Sequence, residues 1–83
     1  MGTKHSPGNY DCWANALDDE PMFVLLARDP HAPTLVRAWA NGREQAIKDG
    51  TRPESDQKKV KEARECADEM QRWRSENDGK WRT

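Results

Sequence analysis

The chain has 83 residues, of which 14 are Lys or Arg and 15 are Asp or Glu, so its formal net charge is -1. This length suits one small domain and excludes most large catalytic folds. A nearly neutral chain lacks the basic surface that binding to duplex nucleic acid requires, so we expect no such partner.

Large apolar side chains are scarce: only nine residues are Val, Ile, Leu or Phe. A small domain with so thin a core usually gains stability from a second subunit or a ligand, and we therefore expect a homo-oligomer. The longest apolar run, residues 22–27, is far shorter than the roughly 20 residues of a membrane span. No hydrophobic signal segment precedes it, so we expect a cytoplasmic protein without membrane contact.

The first 17 residues divide into two parts. Residues 1–9 contain Gly2, Pro7 and Gly8 and little that can be buried, which indicates a flexible arm. Tyr10, Trp13 and Leu17 then follow at helical spacing, which predicts about two helical turns.

A short apolar element comes next. Three acidic residues and Pro21 precede residues 22–27, and this combination is a helix-start signal. The length of the run fits either a short buried helix or a strand. We favour a helix because no other segment could supply a partner strand for the backbone hydrogen bonds.

Two long helices follow. The first is predicted to begin near Pro33, after two prolines that break the chain, and to run to about Asp49, with Gly50 ending it. At 100° per residue its apolar stripe consists of Leu35, Val36, Trp39, Ala40, Ala46 and Ile47. The spacing of Thr51 and Glu54 fits a capping box for the second helix.

The second long helix is predicted to run to about Asn77. Its apolar side consists of Val60, Ala63, Ala67, Met70 and, at the edge, Trp73. The short connection predicts an antiparallel hairpin. The expected fold is therefore all-α, with residues 10–77 forming one helical domain in which the short N-terminal segment packs on the hairpin. Residues 78–83 are predicted to be a loose tail.

No residue set in the sequence is typical of catalysis. An enzyme needs a nucleophile, an acid–base pair or a metal cluster at fixed spacing, and we predict none of these, and no cofactor. Cys12 and Cys66 are expected to stay reduced thiols, because their distance along the chain suits neither zinc ligation nor a cytosolic disulfide. Glu62 and Glu69, one turn from Cys66, are expected to disfavour its thiolate.

Two arginines lie within the predicted apolar stripes. A charge at Arg43 is costly unless it is paired. Its head group therefore either reaches water or an acidic residue on a neighbouring helix or subunit, or binds the anion of a ligand. Arg74 raises the same question, and we expect it to pair with Asp29 across the hairpin.

A candidate anion site lies at the start of the first long helix. The first N–H groups of a helix lack internal partners and attract phosphate or carboxylate. Arg28, His31, Thr34 and Arg37 surround this point and could hold a phosphate. The alternative is that Asp29 caps the helix and His31 is an exposed loop residue.

Four aromatic residues remain to be interpreted. Tyr10 and Trp13 could stack on a nucleotide base, although helical spacing is more typical of core residues. Trp39 and Trp73 lie within the apolar stripes and are predicted to be in the core.

Several stretches of the sequence form a recognisable pattern: residues 10–15, 19–30, 32–33, 35–40, 62–64 and 68–73. Through them the chain resembles, over about two thirds of its length, a family of short uncharacterised proteins of bacteriophages and prophages. The resemblance implies a small viral accessory protein in a bacterial cytoplasm. Such proteins often block host defence by occupying a protein or by sequestering a nucleotide signal. The predicted hairpin is also similar in architecture to phage proteins that trap cyclic nucleotides as oligomers.

Two functions follow as hypotheses. The first is non-enzymatic sequestration of a small anionic ligand, most plausibly a nucleotide immune signal, by Tyr10 or Trp13 and the basic residues at the helix start, with Arg43 as a further ligand candidate. The second is a protein-interaction inhibitor or adaptor that acts on a host or phage protein.

Overall fold

A computed structural model of the protein describes residues 1–77. Its secondary structure is helical: α1 is Cys12–Asn15, α2 is Ala32–Lys48, and a 3-10 turn at Glu54–Asp56 leads into α3 at Gln57–Glu76. No β-strand occurs within the described residues, which confirms the all-α prediction. The predicted loose tail, residues 78–83, lies outside the described part of the chain.

The two long helices form the predicted antiparallel hairpin. Gly50 ends α2 with a left-handed φ of 80°, and its N–H donates to the Ile47 carbonyl. Thr51 then donates from both its N–H and its Oγ1 to the Ala46 carbonyl, at 3.0 and 3.1 Å. The capping-box prediction is therefore wrong, because the Thr51 side chain caps the end of α2 and not the start of α3.

Alanine dominates the contact between α2 and α3. The buried apolar residues among those described are Ala32, Ala40, Ile47, Val60, Ala63 and Ala67. Small side chains let two helices approach closely, but they bury little apolar area for each residue. The core is therefore thin, as the composition predicts.

The predicted apolar stripe of α2 is divided in two. Val36, Ala40 and Ile47 pack toward Val60 and Ala63 of α3. The rest of the stripe faces away: Leu35 and Trp39 are 50% and 41% exposed, and Trp73 on α3 is 38% exposed. The prediction that Trp39 and Trp73 lie in the core is wrong. The alanine-rich contact between α2 and α3, which we call the alanine seam, leaves no space for side chains of that size.

Ion pairs connect the helices along one side of the hairpin. Arg37 Nη2 donates to Asp68 Oδ1 and to Gln71 Oε1, both at 2.7 Å. Arg64 Nη2 donates to Glu44 Oε2 at 2.6 Å. We call this side the polar flank. Exposed pairs of this kind each add little stability, but they fix the register of α2 against α3.

The N-terminal helix is shorter than predicted. Asp11 Oδ1 accepts from the N–H groups of Trp13 and Ala14, at 3.1 and 3.3 Å, and so caps α1. The helix ends after Asn15, one turn later. Helix–helix contacts in the described chain join α2, α3 and the 3-10 turn only, so the prediction that α1 packs on the hairpin is wrong.

Residues 22–27 form neither a helix nor a strand. The prediction of a buried helix is wrong here, for a physical reason. A short helix is stable only when tertiary packing repays the cost of nucleation. Residues 22–27 contribute no side chain to the buried contact between α2 and α3, so that repayment is absent.

The first ten residues have no regular structure but contact α3. Glu62 Oε1 accepts from the Asn9 N–H at 3.1 Å. Gly8 adopts a left-handed φ of 81°, and a Cβ there would overlap Glu62 Oε1. Tyr10 is half-buried, with the Lys59 ammonium 5.3 Å from its ring centre.

Two glycine substitutions on α2 should change stability in opposite directions. Gly50→Ala should destabilise the protein by about 1 kcal/mol, because a Cβ disfavours the left-handed backbone. Gly42→Ala should stabilise it by about 0.5–1 kcal/mol, because Ala favours the helix and the added methyl meets no atom within 4 Å. Urea unfolding followed by circular dichroism measures both changes. Equal effects of the two substitutions would contradict this assignment of the helix end.

Candidate functional site

The most exposed large apolar side chains lie close together along the chain. Within residues 13–26, which we call the apolar segment, six of them are exposed: Trp13 by 74%, Leu17 by 70%, Met22 by 49%, Phe23 by 85%, Val24 by 63% and Leu26 by 53%. Single exposed apolar residues are ordinary, but contiguous groups mark binding surfaces. The apolar segment is therefore the leading candidate for a functional site.

Turns at both ends hold the apolar segment in place. At its first turn, the Leu17 N–H donates to Glu20 Oε1 at 3.0 Å, and the Glu20 N–H donates to the Leu17 carbonyl at 3.1 Å. At its far end, the Asp29 N–H donates to the Leu26 carbonyl at 3.0 Å. Between these turns, the backbone N–H groups of residues 22–26 make no hydrogen bond within the described chain. They are free to bond to another molecule.

A cleft of 760 Å³ lies where the far end of the apolar segment meets α3. Its apolar lining includes Leu25, Leu26, Met70 and Trp73. Its charged lining contains both signs: Arg28, Lys58, Lys61, Glu62, Glu65 and Glu69. Mixed charges around an apolar floor do not select anions over cations.

Cys66 also lines this cleft. Burial raises the pKa of the Cys66 thiol, and the negative charges of Glu69 and Glu62 raise it further, although a nearby amino group acts in the opposite direction. The prediction that acidic neighbours disfavour its thiolate is confirmed. A thiol of this kind is a poor nucleophile.

The start of α2 offers few donors to an anion. The His31 N–H donates to Asp29 Oδ1 at 2.9 Å, and the Ala32 N–H donates to the Asp29 carbonyl at 3.1 Å. Pro33 has no N–H. Of the first-turn donors, only the Thr34 N–H lacks a partner among the described residues.

The structure does not bring the basic residues of the predicted phosphate site together. Arg28, His31 and Thr34 are exposed near the start of α2. Arg28 lines the cleft on one side of α3. Arg37 lies on the polar flank, on the other side of α3, where Asp68 and Gln71 hold its guanidinium.

Arg43 meets an acidic partner within its own chain. Its Nη1 donates to Asp56 Oδ2 at 3.1 Å, and its guanidinium lies 5.0 Å from the centre of the Trp39 ring. Arg52 Nε donates to the same carboxylate oxygen at 2.8 Å. The hydrogen bond from Arg52, followed by that from Arg43, holds the pKa of Asp56 below its ordinary value of 3.8, although burial acts in the opposite direction.

The two aromatic candidates have different surroundings. Tyr10 is half-buried beneath Lys59 of α3. Trp13 projects from α1, and its side chain is among the most exposed in the described chain. Trp13 therefore belongs to the apolar segment, whereas Tyr10 helps to attach the N-terminal residues to α3.

No group of three or more His, Cys, Asp or Glu side chains is arranged to hold a metal ion within residues 1–77. In the same range, no helix has the length and apolar character needed to cross a membrane. No protein family, curated protein or solved structure matches this chain.

Sequence reasoning missed most of the apolar segment as a site, since only Trp13 was a candidate. Leu17, Met22, Phe23, Val24 and Leu26 were assigned to helices. One signal was present in the sequence: residues 22–26 are all apolar, without the helical periodicity that would let one face be buried and the other be solvated. A continuous apolar run beside a core of alanines has no space to be buried.

The ion pairs of Asp56 with Arg43 and Arg52, which we call the Asp56 bridge, predict how the stability of the protein depends on pH. Because the folded pKa of Asp56 lies below the unfolded value of 3.8, the stabilisation is present above that unfolded value and is lost as the pH falls through the folded pKa. Asp56→Asn should therefore lower the urea midpoint at pH 7, and its difference from wild type should shrink as the pH falls toward 3. A pH series of urea unfolding curves measures this.

Glu54→Gln is the matched control for this series. Glu54 is exposed and makes no ion pair within the described residues, so the substitution should leave the pH dependence of wild type unchanged. If the difference in urea midpoint between Asp56→Asn and wild type stays constant from pH 7 to 3, the ion pairs of Asp56 with Arg43 and Arg52 do not stabilise the fold.

Proposed function

We propose that this protein acts without catalysis, by binding another protein through the apolar segment. The observation that carries the proposal is the exposure of six large apolar side chains within residues 13–26, while the core consists mainly of alanine. The chain has few large apolar residues, and most of them lie outside its own core.

The energetics favour a protein partner. Full burial of a side chain such as Phe23 contributes about 1.5–3 kcal/mol, and Phe23 is 85% exposed in the isolated chain. Several such side chains together exceed the entropic cost of association, provided that the partner supplies matching apolar area. A nucleotide is too small and too polar to cover the apolar segment.

The backbone of residues 22–26 supports the same proposal. Its N–H groups have no partner within the described chain. A protein partner can satisfy them by adding main-chain hydrogen bonds, as extended peptides do when they join the edge of a sheet.

Nucleotide sequestration has less support from the geometry. Arg37 and Arg43 already bond to acidic or amide groups of the same chain. The Asp29 carboxylate lies at the start of α2 and would repel a phosphate there. The resemblance to phage proteins fits a partner in the host cell, and on this reading the protein is an inhibitor or adaptor. We also propose that the chain forms a homo-oligomer.

Native mass spectrometry of the protein purified from its bacterial host tests the proposed function. We expect the wild-type chain to retain a protein partner at fixed stoichiometry. With that partner purified, Phe23→Asp should weaken binding at least about 30-fold, because it places a charge in a buried apolar contact. Isothermal titration calorimetry of wild type should give the negative heat-capacity change of apolar burial.

Ser75→Asp is the matched control, because it adds the same charge at an exposed position of α3 that is seven residues from Asp68 and so lies on the face of the polar flank, not of the cleft. It should bind as tightly as wild type, and both variants should keep the helicity of wild type. The proposal is refuted if wild type retains no protein while a nucleotide raises its melting temperature and Arg28→Ala abolishes that rise.

A further inference from the structure

One face of α2 lies outside the buried contact with α3. It contains Leu35, Ala38, Trp39, Gly42 and Ala46, which project within one sector of the helix. We call it the open face. Leu35 is 50% exposed, Trp39 is 41% exposed, and a methyl at Gly42 would meet no atom within 4 Å. None of these five residues is charged, and the Arg43 guanidinium lies over the Trp39 ring at one edge of the face.

The open face has a bulky half and a small half. Leu35 and Trp39 project at its N-terminal half, whereas Gly42 and Ala46 leave a depression at its C-terminal half. Consider a two-fold axis perpendicular to α2 that crosses the open face at the level of Ala40. It would place Trp39 of each copy against the depression at Gly42 of the other copy. Interfaces between identical copies require this self-complementarity.

Polar groups at the two ends of the open face are also complementary. His31 and Asp49 are 18 residues apart, which is about five helical turns, so both lie at the same angular position about α2. Both keep helical backbone angles. In an antiparallel arrangement of two copies, the His31 imidazole of one copy would meet Asp49 of the partner subunit. Asp49 accepts one bond from Gln45 and can accept another.

We propose that the open face of α2 is the interface of a homodimer in which two α2 helices pack antiparallel. The paired stretch from His31 to Asp49 is about 27 Å long. Gly42 permits close approach, the antiparallel helix dipoles attract, and each end carries a donor opposite an acceptor. The proposal gives the predicted oligomer a surface and a subunit number, and it leaves the apolar segment free for a different partner.

Sedimentation velocity over a range of protein concentrations tests the dimer. Wild type should change from monomer to dimer as concentration rises. Gly42→Lys should raise the dissociation constant at least about 30-fold, because it fills the depression with a charge. The same substitution favours the helix, so the helicity of the monomer should be equal to or above that of wild type. Ser75→Lys, on the exposed surface of α3, is the matched control and should dimerise like wild type.

A charge exchange tests the antiparallel register. Asp49→Lys alone should weaken the dimer, and adding His31→Glu in the same chain should restore it. Within one chain these positions are about 27 Å apart, so the rescue operates only between copies. The proposal is overturned if wild type stays monomeric at all concentrations, if Gly42→Lys dimerises like wild type, or if the second substitution gives no rescue. Phe23→Asp should dimerise like wild type, which separates this interface from the surface proposed for the other partner.

Discussion

The close approach of α2 and α3 through alanine is the constraint on which the rest of the structure depends. Ala40, Ala63 and Ala67 bring the helices together, and only Val60 and Ile47 add larger side chains to the buried contact. A seam of this kind has no space for tryptophan or phenylalanine. The larger apolar side chains of the chain are consequently displaced to its surface, where they determine what the protein can bind.

Each side of the hairpin then has a different role. The polar flank holds the two helices in register through Arg37, Arg64 and their acidic partners, and the Asp56 bridge fixes the end where they connect. The other sides carry the displaced apolar groups, as the open face of α2 and as the apolar segment. Because these surfaces are separate, the proposed dimer and the proposed protein complex could form at the same time.

The sequence predicts the two long helices well, but the short N-terminal elements and the surface poorly. The first long helix was expected from Pro33 to about Asp49 and is observed at Ala32–Lys48, because proline, glycine and the apolar period are local signals. Whether a residue such as Trp39 is buried depends on which part of the wide apolar stripe of α2 packs against α3. The helical periodicity of the sequence does not determine which part that is. The apolar character of residues 22–27 predicts burial, and hence a helix, although most of the run is exposed. The position of Arg43 within the apolar stripe predicts a partner, but nothing in the sequence identifies that partner as Asp56.

The central claim is that large apolar side chains serve two separate binding surfaces. Tryptophan fluorescence tests it most directly, in two variants that keep only Trp13 or only Trp39. In dilute solution both tryptophans should be quenched readily by acrylamide. As concentration rises, Trp39 should become protected and its emission should shift to shorter wavelength, whereas Trp13 should stay accessible until a protein partner is added. A Trp13 side chain already protected in the dilute monomer would contradict the account, because it would place the apolar segment inside the core.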